Sequence, residues 1–252
     1  MMTVQNNSIV FAILAGGEGS RLAAEGVAVA KPLAVVGGET LVDRLARMCA
    51  EAGAGRILLA YRRGTAGMAA HVEEMKRRGA GDAYVAVESV EVDTPSPMHT
   101  LLALADKLSG CPMCVVTVDT VIGDEAFARY AAALSAVMSS GGAVGLMGVT
   151  GYVDDEKPLY VAVDDDMRIT AFCDDNAGGR CRYVSAGVYG LSAGAIDVLR
   201  RCVDSGRRRM RDFQRALLDE GFRLEAFDMG TVFDIDHASD IDKANLYLGG
   251  RL

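Results

Sequence analysis

The chain has 252 residues, half of them hydrophobic, with 26 Lys and Arg against 34 Asp and Glu and a net charge of -8. That size fits one large α/β domain or two small ones and allows a sizeable core. The acidic balance argues against nonspecific nucleic-acid binding, which needs surplus Lys and Arg, but leaves room for a small phosphorylated ligand at a local basic cluster.

The N-terminus has no basic region before its short apolar run, so it reads as a first strand and not as a secretion signal. No apolar run reaches membrane-spanning length, and the expectation is a soluble, cytoplasmic protein. Ser8 to Leu14 is a continuous apolar run, as in a strand buried on both faces. Thr40 to Ala52 reads as a helix, with Thr40 and Asp43 in capping-box spacing. A strand at 56–61, a helix at 65–78 stopped by Gly79, a strand at 83–88 and a helix at 98–108 follow. A fourth strand spans 113–118. The next helix, 124–138, carries Phe127, Tyr130, Leu134 and Met138 on one stripe, with Asp124 as its cap.

Strand and helix thus alternate four times, which predicts a mainly parallel sheet with its ligand beyond the C-terminal strand ends. The second half differs: strands at 143–149, 159–163, 168–173 and 182–190 come with little helix between them. Helices near 192–204 and 209–220, strands near 223–227 and 232–235 and a helix at 238–248 close the chain. The fold class is α/β, a Rossmann-like α/β/α sandwich with a mixed-sheet acceptor-side region. No Ser/Pro-rich linker divides it, so the expectation is a single domain, with residues 1–140 binding nucleotide and 141–252 binding acceptor. The six Cys residues form no dense framework and are expected to be reduced; Cys111-Pro112-Met113-Cys114 reads as buried thiols at a strand start rather than a zinc site.

The segment Ile9 to Leu22 reads strand, glycine loop, helix start. Glycines at 16, 17 and 19 let the backbone turn sharply and aim several N–H groups at an anion, the helix start adds partial positive charge, and Arg21 adds a fork suited to phosphate oxygens. The loop is neither a Walker A motif nor G-x-G-x-x-G. Ten residues on come Lys31-Pro32-Leu33, whose ammonium can neutralise charge on a reacting phosphate. Asp119 ends the apolar run VVTVD, where an open α/β sheet places its ligand. Phe233-Asp234-Ile235-Asp236-His237-Ala238-Ser239-Asp240 sets Asp234 and Asp236 on one side of an extended strand, with Ser239 or Asp240 as the cap of the final helix and Asp240 read as structural.

The combination L-A-G-G-x-G-S-R-L followed by K-P-L resembles the signature of the sugar-1-phosphate nucleotidyltransferase superfamily. The resemblance implies that Ala15, Gly16, Gly17, Gly19, Ser20, Arg21 and Lys31 hold the triphosphate of a nucleoside triphosphate, with Arg21 and Lys31 catalytic. It implies further that Asp119, Asp236 and Asp234 hold Mg2+, as in a D-x-D-T-x-x-D-[LI] segment, here with His237 in place of Thr. The loop Asp93 to Thr100 is similar in position to the family's base loop, which points to Ser96 or His99 for base or ribose; a rigid turn with a helix cap is the competing reading. Tyr183 to Tyr189 resembles a sugar-lining N-A-G-I-Y strand, with Ser185 for Asn and Gly187 open to the acceptor. Glu156-Lys157-Pro158 resembles the E-K-P element, giving Lys157 to the acceptor phosphate. Arg207 to Arg211 is the one dense basic run, either a solvated face or a contact for an anionic acceptor.

These readings converge on transfer of a nucleoside monophosphate to a small phosphorylated acceptor, such as a sugar 1-phosphate, with pyrophosphate released. Neither a nucleic acid nor a membrane is expected as partner. A glycosyltransferase using a nucleotide sugar and a noncatalytic nucleotide sensor are the alternatives. Base, acceptor and oligomeric state are not encoded in any of these motifs.

Overall fold

Apolar runs bounded by glycine or polar turns become strands, and amphipathic runs become the helices that cover them. The computed structural model describes residues 9–17, 19–82, 84–154 and 157–250. In chain order the first half contains β1 (Val10–Ala15), α1 (Ser20–Ala24), a 3-10 turn (Lys31–Leu33), β2 (Val35–Val36), β3 (Glu39–Thr40), α2 (Leu41–Glu51), β4 (Arg56–Arg62), α3 (Met68–Arg78) and β5 (Val87–Val92). It continues with α4 (Pro97–Ala103), α5 (Ala105–Leu108), β6 (Met113–Thr117), β7 (Thr120–Ile122) and α6 (Asp124–Ser139). The second half contains β8 (Val144–Thr150), β9 (Tyr160–Val163), β10 (Ile169–Cys173), β11 (Tyr183–Leu191), α7 (Ala195–Asp204), α8 (Met210–Asp219), β12 (Arg223–Asp228), β13 (Val232–Asp234) and α9 (Ala238–Leu248).

β1 pairs in parallel with β4 on one side and β6 on the other, and β4 pairs in parallel with β5. Beyond β6 the sheet becomes mixed. β11 runs antiparallel to β6, β8 and β9, β9 is antiparallel to β10, and β12 is parallel to β8. The strand order is β10-β9-β11-β6-β1-β4-β5, with β8 and β12 branching from β11. This is the α/β architecture expected from the alternating first half and strand-rich second half.

Period-2 alternation along β1 divides the core. Phe11, Ile13 and Ala15 join a cluster with Leu45 of α2 and Phe127 and Tyr130 of α6, while Val10, Ala12 and Leu14 join one with Met98 and Leu101 of α4 and Leu199 of α7. Both faces are therefore covered, which is why β1 is apolar throughout. Each fully buried large aliphatic side chain contributes about 1.5–3 kcal/mol. The Tyr130 hydroxyl, buried in this layer, donates to the Leu146 carbonyl at 2.7 Å.

Several boundaries differ from the sequence reading. The strand expected at 83–88 lies at Val87–Val92, because Ala80 and Val85 close a tight turn through two backbone hydrogen bonds of 2.9 Å; Ala83 itself falls outside the described residues. The helix expected from 65 starts at Met68, after a left-handed Gly67. The helix expected at 98–108 breaks at Leu104 into α4 and α5. Asp124 does not cap α6: Gly123 is the N-cap, and the Asp124 carboxylate instead accepts from the buried Arg44. Thr40 does cap α2, accepting from the Asp43 N–H at 3.2 Å. The six cysteines form no disulfide. Among the described residues no helix is long and apolar enough to cross a membrane.

Candidate functional site

The site forms where the C-terminal ends of β1 and β6 lie side by side, with Leu14 in register with Thr117. The chain leaves β1 through Gly16 and Gly17 and enters the short α1 from Gly19. A Cβ at Gly16 would sit 2.7 Å from Thr100 Oγ1 of α4, so glycine lets the loop press against that helix. A Cβ at Gly17 would meet nothing within 4 Å. Gly19 is left-handed, at φ +60°, and a Cβ there would lie 2.9 Å from the Lys31 Cβ. The loop thus lies across the stem of Lys31 and needs a residue without a side chain to do so.

Lys31 is 8% exposed. Its ammonium donates to Asp119 Oδ2 at 2.8 Å and to Asp236 Oδ1 at 2.7 Å. Arg21 donates to the other oxygen of Asp236. Burial alone would lower the Lys31 pKa, but Asp119, with Asp236 and Asp234, outweighs it and holds the ammonium above its usual range. Burial works against ionised Asp236, yet the Lys31 hydrogen bond and the charges of Lys31, Arg21 and His237 hold its carboxyl below the usual aspartate range.

A small ribbon brings these distant carboxylates together. β7 and β13 pair antiparallel, with Asp234 opposite Thr120, and the Ile235 N–H donates to the Asp119 carbonyl at 3.0 Å. The strand ends at Asp234, so the expected alternation does not run on to Asp236. Asp236 lines the loop cleft and Asp234 a second cleft beside it. Asp240 accepts from the backbone N–H groups of Asp236 at 3.1 Å and His237 at 2.8 Å, the structural role expected of it. Glu25, just past α1, bonds the His237 ring and accepts from the Ala238 N–H at 2.8 Å. His237 therefore stands in a docking contact between the phosphate-loop helix and the carboxylate segment.

The loop cleft has a volume of about 320 Å³ and is lined by Gly16, Gly17, Gly19, Ser20, Arg21, Lys31, Asp119 and Asp236. Ala15 is buried in the core beneath the loop and is not among the lining residues. The second cleft, of about 440 Å³, is lined by Asp234, Lys157, Ser185, Gly187, Tyr189, Arg209 and Arg211, among others. Both clefts share Pro97, Thr117 and Asp119 as a common wall. A third hollow lies over Gly16, Gly17, Arg62 and the 93–97 loop.

On the second cleft the structure adds detail to two readings. Gly187 is left-handed, at φ +71°, and a Cβ there would lie 2.3 Å from Thr120 Oγ1 and 2.8 Å from Thr117 Oγ1. The Cβ side of Gly187 is taken up by the threonine hydroxyls, at a break in the β11 register, while the residue still lines the second cleft. Ser96 caps α4, accepting from the His99 N–H, with its hydroxyl 2.8 Å from His99 Nδ1. The rigid-turn reading is the one observed there, though Ser96 still lines the second and third hollows. Lys157 does face the second cleft, while Glu156 lies outside the described residues, as does Glu18 of the glycine loop. Ser185 accepts from Gln214 Nε2 at 3.2 Å. Within the basic run, Arg211 pairs with Asp174 and donates to the Lys157 carbonyl at 3.0 Å.

Sequence reasoning missed Glu25, Gln214 and Tyr189. Burial pushes the Tyr189 phenol up to about 12, with Asp119 and Asp234 adding to the shift, so it stays a hydrogen-bond donor at neutral pH. Nothing in local spacing marks Glu25 or Gln214, because each acts on a segment distant in the chain.

Among the described residues no three His, Cys, Asp or Glu side chains gather in a metal-binding group. The two carboxylates joined by Lys31 still fit magnesium, which takes one or two carboxylates and completes its shell with phosphate oxygens and water.

Comparison with known proteins bears on the family and the fold. The profile of the family described as nucleotidyl transferase matches residues 11–247. The fold is similar to that of the inositol-1-phosphate CTP transferase from T. maritima, with a TM-score of 0.76 and 18% identity over 98% of this chain and 97% of that one. It is also similar to the UTP-bound UGPase from Acinetobacter baumannii, with a TM-score of 0.76 and 17% identity over 96% of this chain and 93% of the other. No curated protein sequence matches the chain.

Proposed function

The chain belongs to the nucleotidyl transferase family, and from that premise we propose that it transfers a nucleoside monophosphate from a nucleoside triphosphate to a sugar 1-phosphate or a similarly small phosphorylated polyol. The observation that carries this reading is the wall shared by the two clefts. A triphosphate on the glycine loop and an acceptor in the second cleft would meet at Thr117 and Asp119. The similar structures support the acceptor class: one is a transferase acting with inositol 1-phosphate and CTP, another a UTP-bound UGPase.

An acceptor phosphate oxygen attacks the α-phosphorus. The bond from that phosphorus to the bridging oxygen breaks, and its electron pair leaves on pyrophosphate. The acceptor phosphate is already ionised at neutral pH, so no strong base is needed, and the protein contributes by in-line positioning and electrostatics. The amides of Gly16, Gly17, Gly19 and Ser20 hold the triphosphate from above the buried Ala15. Arg21 and Lys31 offset the charge that accumulates on the leaving pyrophosphate. Lys157, with Ser185 beside it, orients the acceptor, and Gly187 shapes the cleft floor through its fit to Thr117 and Thr120. Asp119 and Asp236, with Asp234 nearby, would hold Mg2+, which supplies charge neutralisation at the α-phosphate when bound.

The test is pyrophosphate release, assayed with each of the four nucleoside triphosphates against a panel of sugar 1-phosphates and polyol phosphates. One pair should give turnover that depends on both substrates and on Mg2+. Absence of pyrophosphate release with every pair, or sugar transfer from a nucleotide sugar in its place, overturns the proposal.

A further inference from the structure

We infer that Lys31 and Arg21 are built-in counter-cations for Asp119 and Asp236, which open those carboxylates to a divalent cation only when triphosphate oxygens draw the two cations away. The inference rests on the proposed role of the two carboxylates as the metal-holding pair. Both oxygens of Asp236 are engaged, one by Lys31 and one by Arg21, and Asp119 Oδ2 is engaged by the same ammonium. Within this contact group two cations stand against two carboxylates and offset their charge, and Asp234 lies close enough to act on Lys31 as well. A free divalent cation approaching it meets a weakened attraction and has to break three charge-assisted hydrogen bonds.

Phosphate oxygens alter that balance. Gly17, Gly19, Ser20, Arg21 and Lys31 line one cleft, so an anion seated on the loop lies beside both cations. The Lys31 stem is buried and crossed by Gly19, which leaves the ammonium end as the part free to turn from carboxylate to phosphate. Each cation that turns uncovers a carboxylate oxygen beside the incoming phosphates. The same residues that bind triphosphate therefore set the order of loading: the divalent cation enters with the nucleotide and not ahead of it.

Binding of Mn2+ alone, with no nucleotide and no turnover, tests this by electron paramagnetic resonance of the free ion. Lys31→Met should bind Mn2+ at least about tenfold more tightly than the wild type, since removing a unit charge in direct contact is a strong effect. Arg21→Met, at a half-exposed guanidinium, should show a smaller gain of about threefold because solvent screens it. Arg209→Met is the control: that side chain lines the neighbouring cleft and bonds neither carboxylate, and Mn2+ affinity should be unchanged. Thermal unfolding establishes that each variant is folded, and Arg21→Met decides the matter if Lys31→Met is not. Folded Lys31→Met or Arg21→Met protein that binds Mn2+ no more tightly than the wild type overturns the inference. The readout does not depend on pyrophosphate release, so failure of the counter-cation idea and failure of the transferase reading are separately visible.

Discussion

Gly19→Ala perturbs the loop in two ways that can be worked from the structure. The residue is left-handed, at φ +60°, where an L side chain costs about 1–2 kcal/mol. The added Cβ would stand 2.9 Å from the Lys31 Cβ, whereas carbon atoms settle near 3.5–4.0 Å, so loop or lysine has to yield by roughly 0.6 Å or more. The Lys31 stem is buried, so the displacement falls on the loop. Misplacement of about 1 Å at a reacting group can cost about 100-fold, and a shift of roughly half that size is expected to lower kcat/KM for the triphosphate about tenfold. Stability should fall by about 1–3 kcal/mol, a Tm shift of about 2–4 °C per kcal/mol in a chain of this size. Pyrophosphate release at varied triphosphate concentration and scanning fluorimetry read the two effects. Gly17→Ala is the matched control, because its Cβ enters open space and its φ is not left-handed; its stability should change by less than about 0.5 kcal/mol. Wild-type kcat/KM and Tm in Gly19→Ala would refute the packing of the loop across Lys31.

Lys31→Ala should reduce turnover on the order of 100-fold, as loss of one preorganised donor does elsewhere; near-normal turnover in a folded variant removes Lys31 from the catalytic assignment. Gly187→Ala should destabilise by about 2 kcal/mol or more through its clash with Thr117 and Thr120 and its left-handed backbone, measurable by urea unfolding. For Asp236, a carboxyl held below the usual range contributes stability above the unfolded aspartate pKa and loses it as pH falls through the folded value. Asp236→Asn should therefore flatten the acid limb of stability below about pH 4, and an unchanged limb in acid titrations followed by circular dichroism would contradict the ion pairs seen here. Glu25→Gln keeps size but removes the charge at His237 and the Ala238 N–H; it should weaken triphosphate affinity more than it changes Tm, which isothermal titration against each triphosphate would show.

Much of the fold was legible because each half carried its own periodicity. The continuous apolar run of β1 announced a strand buried on two faces, and both faces are covered. The glycine loop and Lys31 were readable because their chemistry is local and their spacing short. The strand now at Val87–Val92 was misplaced because the Ala80–Val85 turn is closed by backbone hydrogen bonds, which leave no pattern in side-chain type. Gly187 was readable as a place of close approach, but Thr117 and Thr120 on its Cβ side were not, since a glycine shows only that something is close. The shared use of Asp119 and Asp236 by one ammonium was not legible either, since it depends on the pairing of β7 with β13.

That pairing has a consequence for the protein's history as a growing chain. The loop, Lys31 and Asp119 leave the ribosome well before β13 and Asp236. Until β13 docks on β7, a nascent chain has the glycine loop and one carboxylate but lacks the second. The proposed activity should therefore switch on with closure of a long-range contact and not with folding of the first half of the chain alone. The ribbon is only two short strands, yet it decides when the chain becomes competent.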